Sequence, residues 1–158
     1  MKRKISKVSD SAIEGQFFGI NPGDINDKGT LFGGRMLEIV DEVSGYIAMK
    51  HSRCRCFTRR CCAELFAPAF IDDVLMVKSS VNRVWTTSME VGIKIFARNL
   101  ITQETRHILS AYSTLVTIDD SKKPAPVPYG IKPITKDEKR RYAEADRRKK
   151  IIFRYKRP

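Results

Sequence analysis

The sequence predicts an α+β domain in which an antiparallel sheet carries one long helix across its concave face. Three observations predict it. One stretch, Gly34 to about His51, repeats its apolar residues at helical spacing. Beyond it the apolar period falls to two and stays there as far as Ile118. No second helical pattern interrupts those strands, so they form a meander rather than parallel units joined by helices.

Each element follows in order. Residues 12–20 (AIEGQFFGI) are short, aromatic and strand-like, and residues 21–34 (NPGDINDKGTLFGG) are dense in Gly, Pro, Asn and Asp and read as a loop. In the helix, Met36, Leu37, Val40, Val43, Ser44 and Ile47 share one face, with Arg35, Glu38 and Glu42 opposite. Strands are expected at Cys54–Glu64, Val74–Val81, Ser88–Arg98 and His107–Ile118. In the third of these, Met89, Val91, Ile93, Ile95 and Ala97 alternate with Glu90, Gly92, Lys94, Phe96 and Arg98, an apolar face against a polar one.

The chain has 158 residues, 42% of them hydrophobic and 30% charged, enough for one compact domain of residues 8–122 with an appendage. A Pro-rich linker, residues 123–134, carries Pro124, Pro126, Pro128 and Pro133. After it, Thr135 and Glu138 form a capping box opening a helix that runs to about Phe153, in a basic tail of residues 135–158. The formal charge of +12 is uneven: residues 132–158 hold 12 Lys/Arg against 4 Asp/Glu. Such a helix could bind nucleic acid phosphates or a membrane surface. Without a nucleic-acid motif or interleaved aromatics, a solvated face or subunit-packing arm is the preferred reading. No run reaches the roughly 18 apolar residues of a membrane span, and the basic start MKRKISKVSD has no apolar stretch behind it. A cytoplasmic location is therefore expected, with neither membrane nor nucleic acid as partner.

Asp41 stands out chemically. It falls at the border of the helix's apolar stripe, on a flank shared with Gly34, Gly45 and Ala48. A carboxylate beside an apolar seam is costly unless hydrogen-bonded or used, although an ordinary solvated helix Asp fits the spacing equally well. Gly33 and Gly34 bare the backbone where the first helical amides lack partners, a setting that favours an anion or a developing oxyanion, or serves simply as a flexible junction. Asp24, Asn26 and Thr30 in the preceding loop reach toward the same spot or act as turn formers. Other chemistries find little support. There is no Gly-x-Ser-x-Gly elbow, and His51 and His107 are the only histidines. Cys54, Cys56, Cys61 and Cys62 lack paired zinc-ligand spacing and read as small core or interface apolars, so no metal is expected.

The run Asn21-Pro-Gly-Asp24-Ile-Asn26 through Gly33-Gly34-Arg-Met-Leu-Glu-Ile-Val-Asp41-Glu-Val-Ser-Gly45 resembles the signature of ACOT-type acyl-CoA hydrolases of the hotdog fold. Phe66-Ala-Pro68 with Asp73, Thr86-Thr87-Ser88-Met89-Glu90-Val91 and Lys123-Pro124-Ala-Pro126-Val-Pro128 resemble the family's later signatures, in order over residues 10–130. The resemblance implies a hotdog fold and hydrolysis of fatty acyl-CoA to fatty acid and coenzyme A, with no cofactor. It also implies a homodimer paired edge to edge, assembled as a trimer of dimers, with active sites between protomers. There the loop Asn of one chain, Asn26, faces the helix Asp of its partner, Asp41. By the same resemblance the segment Thr86–Ser88, including Thr87 and Ser88, contacts coenzyme A. Arg59, Arg60, Arg83 and Arg106 are unranked candidates for its anionic head. Two departures stand out: Phe57-Thr-Arg-Arg-Cys-Cys62 replaces an alternating Val/Thr strand with an acidic residue, and Asp72-Asp73 replaces Gly-Asp.

Thioester chemistry suits a site without His, because a thiol of pKa about 8.5 departs with little help from an acid. Asp41 is expected as general base (less so as nucleophile through an anhydride), Asn26 as the orienter of water or carbonyl, and the Gly33 and Gly34 amides as the oxyanion donors. The rivals are a non-catalytic acyl-CoA sensor, a nucleic-acid protein acting through its tail, and a hotdog dehydratase, which would need a catalytic His in the loop or helix.

Overall fold

The computed structural model describes residues 3–154, with side chains described through Ile151. The elements are β1 (Lys4–Lys7), β2 (Ile13–Gly19), α1 (Gly33–Ser52), β3 (Arg55–Leu65), β4 (Asp73–Val84), β5 (Ser88–Asn99), β6 (Thr105–Ile118), β7 (Tyr129–Lys132) and α2 (Lys136–Arg154). Five strands make one antiparallel sheet in the order β2-β4-β5-β6-β3, and β1 pairs in parallel with β7 in a small second sheet. The expected strands all form, most of them longer at one or both ends than the apolar alternation alone marks. The β1–β7 pair was not expected, since four residues are too few to show a period.

α1 packs across the inner face of the large sheet. Its side chains at Met36, Ile39, Val40, Val43 and Ile47 are buried against Leu75, Val77, Val81, Met89, Val91, Ile93, Ile95, Leu109 and Leu115. Two helix positions differ from expectation. Leu37 is 44% exposed and Ile39 is 1% exposed, so the buried stripe is centred nearer Val40 and Val43 than the sequence spacing placed it. Ser44 is buried, donating to the Val40 carbonyl and lying 3.1 Å from Ser113 Oγ, which pins the helix to β6 at mid-length. α1 ends at Arg53 in the left-handed region (φ 56°), its N–H returning to Met49 O at 2.7 Å.

The outer face of the sheet is not a uniformly polar surface, and the basic tail is not a free rod. α2 lies across this face. Its start is the expected capping box: Glu138 N–H donates to Thr135 Oγ1 at 3.2 Å and Thr135 N–H to Glu138 Oε2 at 3.0 Å. Ala145 is fully buried, and Arg148 forks onto Glu90, with Nη2–Oε1 at 2.7 Å and Nε–Oε2 at 3.1 Å. Glu90, expected on a solvated face, is therefore buried, and Asn82 Nδ2 donates to its Oε1 at 2.9 Å. The Arg148 guanidinium also stacks 3.6 Å over the Tyr112 ring, and Arg83 lies 4.0 Å over Tyr142 of α2. The Pro-rich segment is likewise packed: Val127 is buried with its N–H on Thr86 O at 2.8 Å. Of the tail expected to form a helix, residues 155–158 lie outside the described residues.

Gly92 makes this arrangement possible. A Cβ there would meet Asn82 Nδ2 at 2.5 Å, and Asn82 is buried and tied to Glu90. Gly92→Ala is expected to displace Asn82 and cost about 1–3 kcal/mol, read as a drop in the urea midpoint.

Candidate active site

A groove of about 1160 Å³ opens between α1, β2 and β3. The helix contributes Asp41, Gly45, Tyr46 and Met49, β2 contributes Gly15 and Gln16, and β3 contributes Cys56, Phe57 and Thr58. Local sequence explains its shape. A register shift between Ile13 and Gln16 interrupts the ladder where β2 lines the groove, and Gly45 removes a side chain where the helix lines it. Exposed Tyr46, Met49 and Phe57 give it apolar walls.

Asp41 stands on one wall. Its residue is exposed in the single chain, and its carboxylate makes no hydrogen bond or ion pair with any described residue. Elsewhere on the helix Glu38 pairs with Arg35 three residues before it, at 2.8 Å. Asp41 shares the groove with Tyr46, Met49 and Phe57 and with the polar Gln16, Glu42, Lys50 and Thr58. Of the small neighbours expected beside it, Gly45 lines the groove, Ala48 is buried in the core, and Gly34 sits at the exposed first turn. Cys56 lines the groove too, but burial holds its thiol above the usual pKa, in the protonated and weakly nucleophilic form.

The other candidate residues lie apart from Asp41 within one chain. Asn26 is the hub of the loop before α1. Its Oδ1 accepts from the Lys28 and Thr30 amides at 2.9 and 3.1 Å, and its Nδ2 donates to Thr30 Oγ1 at 2.9 Å. The second Nδ2 hydrogen is left to donate elsewhere. Asn26 does not line the Asp41 groove. The loop is fixed at both ends, by Leu31 N–H on Ala69 O at 2.8 Å and Phe32 N–H on Asp24 O at 2.8 Å.

α1 starts at Gly33, one residue earlier than expected, and no side chain caps it. The Arg35 and Met36 amides both point at Phe32 O, leaving Gly33 and Gly34 as the uncommitted first-turn donors. A Cβ on Gly34 would meet the Phe32 ring at 2.6 Å, so glycine lets that ring fold over the helix start.

The turn Trp85–Ser88 joins β4 to β5, closed by Trp85 N–H on Ser88 O at 2.8 Å. The Thr86 and Thr87 carbonyls accept from the Val127 and Thr117 amides, and no described partner takes the Thr87 or Ser88 hydroxyls. Of the four candidate arginines, two are already committed. Arg106 pairs with buried Asp73 at 2.5 Å, and Arg83 pairs with Asp146 at 3.4 Å, so neither stands as a loose cation for an incoming anion. Arg59 and Arg60 are exposed on β3, without an ion pair to a described residue. Arg59 is the extra residue of a bulge between Thr58 and Arg60.

Neither His is poised to act here. His51 is buried, its Nε2 3.2 Å from Tyr129 O, and burial holds its pKa below the ordinary value. His107 contacts Leu109 O and Ser110 Oγ on its own strand. Cys61 and Cys62 are exposed rather than in the core, because β3 forms the edge of the sheet and the helix covers only its start. Among the described residues no three His, Cys, Asp or Glu side chains cluster to hold a metal, and no helix is long and apolar enough to cross a membrane.

Thr58 is the groove residue that sequence reading missed. Alternation alone ranks it with its neighbours, and the bulge that marks it out appears only once β3 and β6 are paired.

Comparison with known proteins gives these observations a family. Residues 28–102 match the Thioesterase superfamily. The chain is 32% identical over 118 residues to the uncharacterized acyl-CoA thioester hydrolase YkhA of Bacillus subtilis, covering 74% of this chain and 68% of that protein. An apo-hexameric acyl-CoA thioesterase superposes with TM-score 0.91 at 32% identity, covering 98% of this chain and 99% of that one. An acyl-CoA hydrolase of Staphylococcus aureus, solved with butyryl coenzyme A, coenzyme A and coenzyme A disulfide, superposes with TM-score 0.85 at 29% identity, covering 96% of this chain and 94% of that one. The Staphylococcus enzyme has also been solved with an aspartate, an asparagine or a threonine changed to alanine. A helix laid across an antiparallel sheet, with these relatives, identifies the chain as a member of the hotdog-fold acyl-CoA thioester hydrolase family.

Proposed function

We propose that the chain hydrolyses the thioester of fatty acyl-CoA to a free fatty acid and coenzyme A, with Asp41 as general base. The observation that carries this reading is the Asp41 carboxylate, without a hydrogen-bond or ion-pair partner among the described residues, on the wall of a groove that Tyr46, Met49 and Phe57 also line. A carboxylate in that setting has lone pairs to spend on a water, and the groove offers room for an acyl chain beside it. Asn26 of a second copy completes the site in this reading, its remaining amide hydrogen orienting the water or the thioester carbonyl. The Gly33 and Gly34 amides hold the developing oxyanion. Thr87 and Ser88 offer hydroxyls to the coenzyme A moiety and Arg59 offers a cation. The thiolate leaves without a general acid, which fits a site that enlists neither histidine.

The Staphylococcus enzyme supports the choice of residues. The asparagine, aspartate and threonine altered there are 15 and 17 positions apart, the same spacings that separate Asn26, Asp41 and Thr58 here. Thr58 thereby joins the reading as a positioning residue opposite Asp41.

A shared site requires a homodimer. β3 is an edge strand flanked by exposed Phe57, Leu65 and Phe66, a surface that fits pairing with a second copy. With the hexameric relative, this supports a trimer of dimers.

The test is thiol release from a panel of acyl-CoAs of increasing chain length. Thiol release from acyl-CoAs of the panel is expected. Saturable acyl-CoA binding without thiol release would replace this reading with that of a non-catalytic acyl-CoA sensor.

A further inference from the structure

Gly45 occupies the interior of α1, and nothing in its own chain calls for a glycine there. Its backbone is ordinary helix, without the left-handed geometry that Gly29 adopts at φ 75°. After proline, glycine is the weakest helix former, and an interior position bears that penalty in full. Close packing is the usual reason for such a residue, as at Gly92 against Asn82. At Gly45 that reason fails, because a Cβ there would meet nothing within 4 Å. The missing side chain leaves open space, and that space belongs to the groove.

Its place relative to Asp41 gives the space a length scale. Asp41, Gly45 and Met49 follow one another at intervals of four along one ridge of the helix, and all three line the groove. Asp41 is the first helix residue to line it and Lys50 the last, so this wall runs from the carboxylate toward the C-terminal end of α1. At about 1.5 Å per residue, Gly45 lies about 6 Å beyond Asp41 and Met49 about 12 Å. An extended hydrocarbon chain, with bonds of about 1.5 Å at near-tetrahedral angles, advances about 1.25 Å per carbon. With the thioester carbonyl held beside Asp41, Gly45 therefore stands level with about the fifth carbon and Met49 with about the tenth. Tyr46, Met49 and Phe57 supply apolar surface over the same stretch.

We propose that Gly45 determines acyl specificity, as the gap through which a chain of more than about five carbons passes along α1 toward Met49. This rests on acyl-CoA hydrolysis at Asp41 and adds the substrate class, extended acyl groups of about six to ten carbons. Shorter acyl groups end before the gap and are indifferent to it.

The experiment measures thiol release from butyryl-CoA and decanoyl-CoA for the unaltered chain, Gly45→Ala and Gly45→Leu. The ratio of kcat/KM, decanoyl over butyryl, is expected to fall in Gly45→Ala and to fall at least about tenfold in Gly45→Leu. A ratio is insensitive to misfolded protein, which lowers both rates alike, and Gly45→Ala decides the matter alone if the leucine variant does not fold. Gly45→Ala is also expected to raise the melting midpoint by about 2–4 °C, since alanine is the better helix former and has no neighbour to displace. A more stable protein that has lost its longer substrate separates specificity from damage. An unchanged ratio overturns the proposal. So does a lowered midpoint in Gly45→Ala, or an equal loss on both substrates with dissociation of the assembly in sedimentation, because either would assign the space to packing against a second copy. Failure of the hydrolase reading looks different, since the unaltered chain would then release thiol from neither substrate.

Discussion

Asp41→Asn is expected to lower kcat on acyl-CoA by about 10³-fold, within the range by which a positioned general base accelerates proton transfer. The fold should not notice. The carboxylate makes no hydrogen bond or ion pair with described residues, so the isosteric amide removes no internal contact, and the thermal midpoint and coenzyme A affinity should hold. Asn26→Ala is expected to lower kcat as well, with some loss of stability because Asn26 Oδ1 holds the Lys28 and Thr30 amides. Mixing the two inactive variants gives a sharper result. If each site takes Asp41 from one protomer and Asn26 from the other, a mixed dimer has one site with both defects and one with neither. Equal mixing with free exchange makes half the dimers mixed, so about a quarter of wild-type activity should return. Activity that stays at the level of the variants after exchange would place both residues within one chain and refute the shared site.

The second large effect concerns α2. Arg148→Ala leaves Glu90 buried without its bidentate partner and removes the cation over Tyr112. Loss of one member of a buried pair costs about 3–5 kcal/mol. Arg148 retains some solvent contact, so the lower end applies, and a loss of about 3 kcal/mol moves the melting midpoint of a domain this size by about 6–12 °C. Glu90→Gln combined with Arg148→Met removes both charges together and should restore most of the loss, because no ion is then stranded. A midpoint shift under 2 °C for Arg148→Ala would show that α2 is held by its apolar contacts alone.

How much of this was legible beforehand depends on the range of the interactions involved. α1 and the four long strands declare themselves by period, and the Thr135–Glu138 box marks the start of α2 within a residue. Leu37 and Ile39 exchanged roles because, at about 100° per residue, they flank the Met36–Val40–Val43–Ile47 stripe on opposite edges, and spacing alone does not say which edge meets the sheet. Glu90, Arg83 and Arg106 carry pairings that the sequence did not announce, for a shared reason. Each is polar and reads as solvated, yet each meets a partner far along the chain: Arg148, Asp146 and Asp73. Nothing local announces such pairs. For the candidate site, the sequence supplied Asp41 and the glycines at the helix start. It passed over Thr58, because the bulge that distinguishes it is a property of two strands in register.

The unpaired margin of β3 bears on how the protein behaves while being made. Eleven residues of backbone, with Phe57, Leu65 and Phe66 alongside, present one row of amides and carbonyls without a ladder partner in a single copy. A nascent chain in that condition is a template for indiscriminate strand addition until another copy arrives. Recovery of soluble material should therefore favour slow expression with ample time for chains to meet, and substitutions that weaken this margin should surface first as inclusion bodies, ahead of any loss of turnover.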